Sequence, residues 1–94
     1  MGKLLILTKY IFLIYGSDIL EARRHVHVTY NHRGYKKSCK FWLEPSIELD
    51  EGKQGNFTDR ELTEIEKLIG ENLDVLKKQL DTFYRHERVI AIRK

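Results

Sequence analysis

One cysteine (Cys39), one proline (Pro45) and one tryptophan (Trp42) stand among 94 residues. A lone cysteine excludes an internal disulfide framework and a Cys-rich zinc site, and it suits a reducing compartment. No apolar run approaches the roughly 20 residues that cross a bilayer. The run over residues 4–7 resembles the opening of a secretory signal, but Thr8 and Lys9 interrupt it and no small-residue cleavage site follows Tyr15. The expected location is the cytoplasm, with no membrane contact. A phosphate-binding glycine loop, a serine triad and a paired-carboxylate site are also missing, so no cofactor is expected.

What is there fits a folded globular chain: 41% of residues are hydrophobic and 33% charged. This length holds one hydrophobic core, which predicts a single domain over residues 1–94. A chain so short buries only about 60–65% of its unfolded surface, so a homodimer would add stability. The net charge of +3 is unevenly spread. Residues 1–43 carry 8 Lys/Arg against 2 Asp/Glu, and residues 44–94 carry 9 against 12. A basic half joined to an acidic half can attract nucleic acid, a second copy or an acidic partner protein.

Hydrophobic periodicity predicts an α+β fold: a small antiparallel sheet of three to five strands over residues 4–49, with one long C-terminal amphipathic helix packed on one face. Residues 4–7 form a short strand, with Thr8-Lys9 at the turn. Residues 10–15, apolar on both faces, read as a central strand. Gly16-Ser17-Asp18 ends it, and residues 18–24 form a polar loop. In the next strand His25, His27, Thr29 and Asn31 alternate with Val26, Val28 and Tyr30. A turn over residues 31–34 leads into residues 36–43, where Cys39, Phe41 and Leu43 alternate with Ser38, Lys40 and Trp42. Pro45 closes that strand or places it at an edge, residues 47–49 add a short extended piece, and residues 50–56 are a loop.

Thr58 and Glu61 fit a capping box, with Phe57 and Leu62 at the flanking staple positions. Leu62, Ile65, Ile69, Leu73, Leu76, Leu80 and Phe83 then recur every three or four residues. The stripe keeps its phase across Gly70, which predicts one helix over residues 58–86 and a tail over 87–94. Residues 89–93 alternate, and either a strand or an unstructured tail satisfies the pattern. The helix covers the Val26 and Cys39 face of the sheet. The opposite face, with Arg23 and Arg24 beside His25, His27, Thr29, Lys40 and Trp42, is then left open as a binding face.

Three chemistries suit that face. Trp42 and the arginines fit a protein interface, where aromatic residues and Arg are enriched. Trp42 can also stack on an unpaired base while Arg33, Lys36 and Lys37 meet the backbone, and His25 and His27 are candidate catalytic groups for acid–base work on a phosphodiester. The two histidines lie ~7 Å apart on one strand face and are candidate metal ligands, with His32 or a carboxylate as a third. Cys39 faces the core and reads as a packed hydrophobe rather than a nucleophile.

Three segments together resemble a bacterial family, domain of unknown function 4160: Arg24-His25-Val26-His27-Val28, then Cys39-Lys40-Phe41-Trp42-Leu43-Glu44-Pro45, then Phe57-Thr58 with Glu61-Leu62 and Ile65. The resemblance runs over residues 10–83. It departs at Ala22-Arg23-Arg24, where members usually carry proline before the His-x-His. It implies a small cytoplasmic protein, often encoded beside a second small domain in a pair that looks like a toxin–antitoxin module. The expected function is therefore a non-enzymatic interaction module acting with a small partner protein. Nucleic-acid binding or a small ribonuclease is the alternative, and metal binding by the His pair a second one.

Overall fold

The computed structural model describes residues 2–7, 9–32 and 35–94, with the backbone alone given for Asn31, His32, Tyr35 and Lys36. The turn expected at residues 31–34 includes Arg33 and Gly34, and the Thr8-Lys9 turn includes Thr8; these three residues lie outside the described ones. So do the side chains of His32 and Lys36.

Among the described residues the fold is α+β with six strands: β1 (Gly2–Ile6), β2 (Tyr10–Ile14), β3 (His25–His32), β4 (Tyr35–Trp42), β5 (Glu48–Leu49) and β6 (Ile92–Arg93). They line up in the order β5-β4-β3-β2-β1-β6. Neighbouring strands are antiparallel except β6, which runs parallel to β1 with Leu5 opposite Ile92. The sheet is thus larger than expected, and mixed. The last strand escapes a purely local reading because two residues are too few to show a period. Its place is fixed by partners far away in sequence: the Lys94 N–H donates to Ile6 O (3.0 Å), and Gln79 Nε2 donates to both Leu4 O (2.9 Å) and Ile90 O (2.7 Å).

The single long helix is corrected to two, α1 (Asp59–Glu71) and α2 (Leu73–Tyr84), divided at Asn72. Asn72 leaves helical geometry (φ −119°, ψ 19°) while its side-chain Nδ2 donates back to Leu68 O (2.9 Å). An asparagine amide in this position competes with the backbone for the carbonyls of the last turn. Lys94 Nζ caps the arrangement by donating to Asn72 Oδ1 (2.9 Å). The apolar stripe runs through the break because both helices pack on the same sheet. Leu62, Ile65 and Ile69 of α1 and Leu76 and Leu80 of α2 are buried against Phe12, Ile14, Val26, Val28 and Phe41.

The start of α1 follows the expected capping box. The Glu61 N–H donates to Thr58 Oγ1 (3.2 Å), the Thr58 N–H donates to Glu61 Oε1 (2.9 Å), and Phe57 and Leu62 are both buried. Lys37 Nζ reaches Glu61 from the sheet at 2.9 Å. In the loop before α1, Gly55 has φ +65°, and a Cβ there would lie 2.0 Å from Ser38 O. Only glycine fits so close to β4.

Leu76→Ala, deleting a fully buried side chain, should cost roughly 2–5 kcal/mol in urea denaturation. Gly70→Ala should move the midpoint the other way, by about 0.5–1 kcal/mol, since helical glycine is penalised and the added carbon meets only Ile47 Cδ1 at 3.8 Å. The Thr58 N–H and then Lys37 hold the Glu61 carboxyl below its usual range. A depressed folded-state value stabilises above the unfolded value and loses that stabilisation as pH falls through it. Glu61→Gln should therefore be less stable than the parent at pH 7, with the gap closing in acid.

Candidate functional site

β3 and β4 place His25 opposite Trp42, His27 opposite Lys40 and Thr29 opposite Ser38 on the face away from the helices. This face is not open. Residues 16–24, expected as a loop, begin with a 3-10 helix (Gly16–Leu20) and fold back over it. His25 is 0% exposed, and Thr29 and Lys40 are buried. Leu13, opposite His27 on β2, is buried apart from the helix-facing core, and Tyr15 stands edge-on to the His27 ring, its centroid 4.7 Å away. Covering a polar strand face this way requires a partner for each buried polar group.

Asp18 faces the two imidazoles. Its Oδ2 accepts from the Tyr15 N–H (2.8 Å) and lies 2.9 Å from His27 Nε2, and its Oδ1 lies 3.1 Å from His25 Nε2. Burial alone would raise the Asp18 carboxyl, but the Tyr15 N–H and the two imidazoles outweigh it and hold the group below its ordinary value. Burial pushes His27 down, and the neighbouring His25 and Lys40 add to this against the opposing pull of Asp18. His25 Nδ1 lies 3.0 Å from Arg23 O, while its buried Nε2 has no hydrogen-bond partner among the described residues. Asp18, His25 and His27 each offer a ligand atom, all within 4.8 Å of one another, so these three can hold a metal ion.

The other expected face residues are engaged within the chain. Lys40 Nζ pairs with Glu21 (3.3 Å) and Asp50 (3.8 Å). The Lys40 ammonium and the Arg23 guanidinium both lie over the Trp42 ring, at 4.1 and 4.3 Å from its centroid. Arg23 also donates to Glu44 O (2.6 Å). Arg24 points away from the group: it stacks on Tyr84 at 3.7 Å and pairs with Asp81 at 3.6 Å. Thr29 Oγ1 lies 3.4 Å from Ser38 Oγ. Of the residues expected to track a nucleic-acid backbone, Lys37 is committed to Glu61.

Asp18 and Glu21 were not among the expected site residues. They are the only two acidic residues in the basic first 43, and that isolation was the available signal. A carboxylate alone among cations and histidines is placed where its charge is used. Beside His27 a cleft of about 270 Å³ opens between β4 and the loop before α1, lined by Ser38, Lys40, Gly52, Lys53 and Gly55. On the far side of the 3-10 helix a groove of about 400 Å³ is lined by Gly16, Ile19, Phe83, His86 and Glu87.

Cys39 lies on the core face, as expected, and burial pushes its thiol up to about 12. The native protein at pH 8 should leave a thiol-specific reagent unreacted until denaturant is added. Rapid modification of the folded protein would show that Cys39 is accessible.

Among the described residues no helix is long and apolar enough to cross a membrane. No curated protein and no solved structure matches the chain. A family model does match, over residues 10–80, which takes in β2, the 3-10 helix, the His25/His27 strand, β4, all of α1 and the first two thirds of α2. The chain belongs to the family described as Domain of unknown function (DUF4160).

Proposed function

We propose that this chain is a non-enzymatic interaction module that works in the cytoplasm with a small partner protein, as one half of a toxin–antitoxin-like pair. The observation that carries the reading is Leu20, 89% exposed at the end of the 3-10 helix and next to Ile19, which lines the apolar groove against Phe83. A leucine held out in water beside an apolar groove gains about 1.5–3 kcal/mol when a partner covers it. Apolar surface rimmed by polar residues marks an interaction site, and here Ile19 and Phe83 are rimmed by His86 and Glu87. The 3-10 helix does not owe this exposure to looseness, since the Tyr84 hydroxyl lies 3.1 Å from Asp18 O and 3.0 Å from Glu21 O. The partner required is a protein segment that offers an apolar side chain to the groove and covers Leu20.

This reading moves the contact surface from the His25/Trp42 face to the 3-10 helix. It also weakens the nucleic-acid alternative. With His25 fully buried, His27 alone of the two catalytic candidates can meet a phosphodiester, and the Lys40 charge is already answered by Glu21 and Asp50.

Native purification from the source cells, with bound protein and bound nucleic acid both quantified, separates the two. The parent should carry a small protein in fixed stoichiometry. Leu20→Asp should lose it while melting within about 0.5 kcal/mol of the parent, as surface substitutions do. A partner retained by Leu20→Asp would refute the surface, and nucleic acid in place of a protein would refute the function.

A further inference from the structure

Among the described residues two buried side-chain nitrogens have no hydrogen-bond partner, Arg24 Nη1 and His25 Nε2, and His25 is the one set beside other metal-ligating groups. Its Nδ1 lies 3.0 Å from Arg23 O. A backbone carbonyl can only accept, so Nδ1 carries the hydrogen, and in the neutral ring Nε2 presents a bare lone pair. That lone pair is buried, without a hydrogen-bond partner among the described residues, and 3.1 Å from an oxygen of the Asp18 carboxylate. Two acceptors at that distance repel unless a positive centre lies between them. A proton on Nε2 is one solution, but the contact lacks the alignment of an N–H···O bond, which weakens steeply off line. A metal ion needs no such line between the two ligands, because each points at the ion instead.

The third donor is in place. His27 Nε2 lies 2.9 Å from the other Asp18 oxygen, and the three ligand atoms fall within 4.8 Å of one another. Ligands at about 2.0–2.1 Å from a tetrahedral ion stand roughly 3.3 Å apart, so small side-chain rotations close the set. The Arg23 carbonyl behind His25 fills the outer role that metal-bound histidines usually show, fixing tautomer and ring orientation. β3 sets the two imidazoles two residues apart on one face, and the 3-10 helix is tied down through Tyr84. Lys40, the cation opposite His27, works against a second positive charge there, and its ion pairs with Glu21 and Asp50 offset part of that repulsion.

We infer that Asp18, His25 and His27 form a three-ligand site for a divalent transition cation of the zinc class. Two nitrogens and one carboxylate oxygen suit such an ion and do not suit calcium or magnesium, which take oxygen. Three protein ligands leave a fourth position for water. The inference goes beyond the interaction reading and stands independently of it.

The test uses the full chain without a histidine tag, stripped with chelator and dialysed, then titrated with cobalt(II) and zinc(II). The parent should bind one equivalent by calorimetry, show the visible absorption of tetrahedral cobalt, lose it to zinc, and melt higher with each ion. Asp18→Asn keeps an acceptor for the Tyr15 N–H, and His27 is partly exposed, so Asp18→Asn and His27→Gln should stay folded by circular dichroism. Each should weaken binding by more than about tenfold, the lower bound for losing even an outer-shell partner. His86→Asn, at an exposed position with φ 61° that asparagine tolerates, should bind like the parent. Nitrogen NMR of the parent imidazoles needs no variant: His25 should be metal-bound through Nε2 with its proton on Nδ1. Absence of stoichiometric binding, binding unchanged in Asp18→Asn and His27→Gln, binding lost instead in His32→Gln, or coordination of His25 through Nδ1 would each overturn the site.

Discussion

The Asp18 carboxylate is where three parts of the chain are held to each other. Through it the 3-10 helix meets His25 on Oδ1 and His27 on Oδ2, and the Tyr15 N–H that closes β2 turns onto Oδ2 as well. A sheet has two faces, and α1 and α2 cover one of them. The other face carries imidazoles and an ammonium, which cannot be buried on hydrophobic contact alone. Its cover therefore has to be polar, short and specific, and residues 16–24 are that cover. The exposure of Leu20 follows from the same constraint, because a segment aimed at histidines with its acidic side chains turns its apolar ones outward.

The uneven charge of the sequence finds its use inside the fold. Lys9 pairs with Glu64 at 3.3 Å, Lys37 with Glu61 at 2.9 Å and Arg24 with Asp81 at 3.6 Å, each joining the basic sheet region to an acidic helix. Exposed pairs of this kind contribute little singly. They do orient the helices across the sheet, and they remove much of the long-range field that an isolated basic half would project towards nucleic acid. Arg23 and Lys40 are likewise drawn onto Trp42, so an indole that reads as a stacking platform in the sequence is already covered by cations of its own chain.

Legibility followed the range of the interaction that decides each element. The capping box at Thr58, the alternation in β3 and β4 and the inward side of Cys39 are local patterns, and they read through. The break at Asn72 did not, because a hydrophobic stripe records which side is buried and is blind to one residue leaving helical geometry. β6 did not, because its bonds go to Ile6 and its neighbour Ile90 binds Gln79, and neither partner leaves a mark on residues 89–93. In the site, the His-x-His spacing was visible on β3, whereas Asp18 was hidden in a stretch that reads as a turn. Only its isolation as a carboxylate in a basic region set it apart. The openness assumed for the His25 face was wrong for the same reason: a strand pattern shows two faces but cannot say what folds back over the second.

The pairing of Leu5 with Ile92 joins positions near opposite ends of the described chain. A contact of that span carries a large loop-closure cost, which is recovered only after α1 and α2 have crossed the sheet and brought the chain back. The antiparallel run β1 to β4 can assemble by neighbour-to-neighbour steps, with each hairpin supporting the next. β6 cannot. It is a latch that engages last, when the helices are already seated, and its two rungs are the natural place for the finished molecule to begin coming undone.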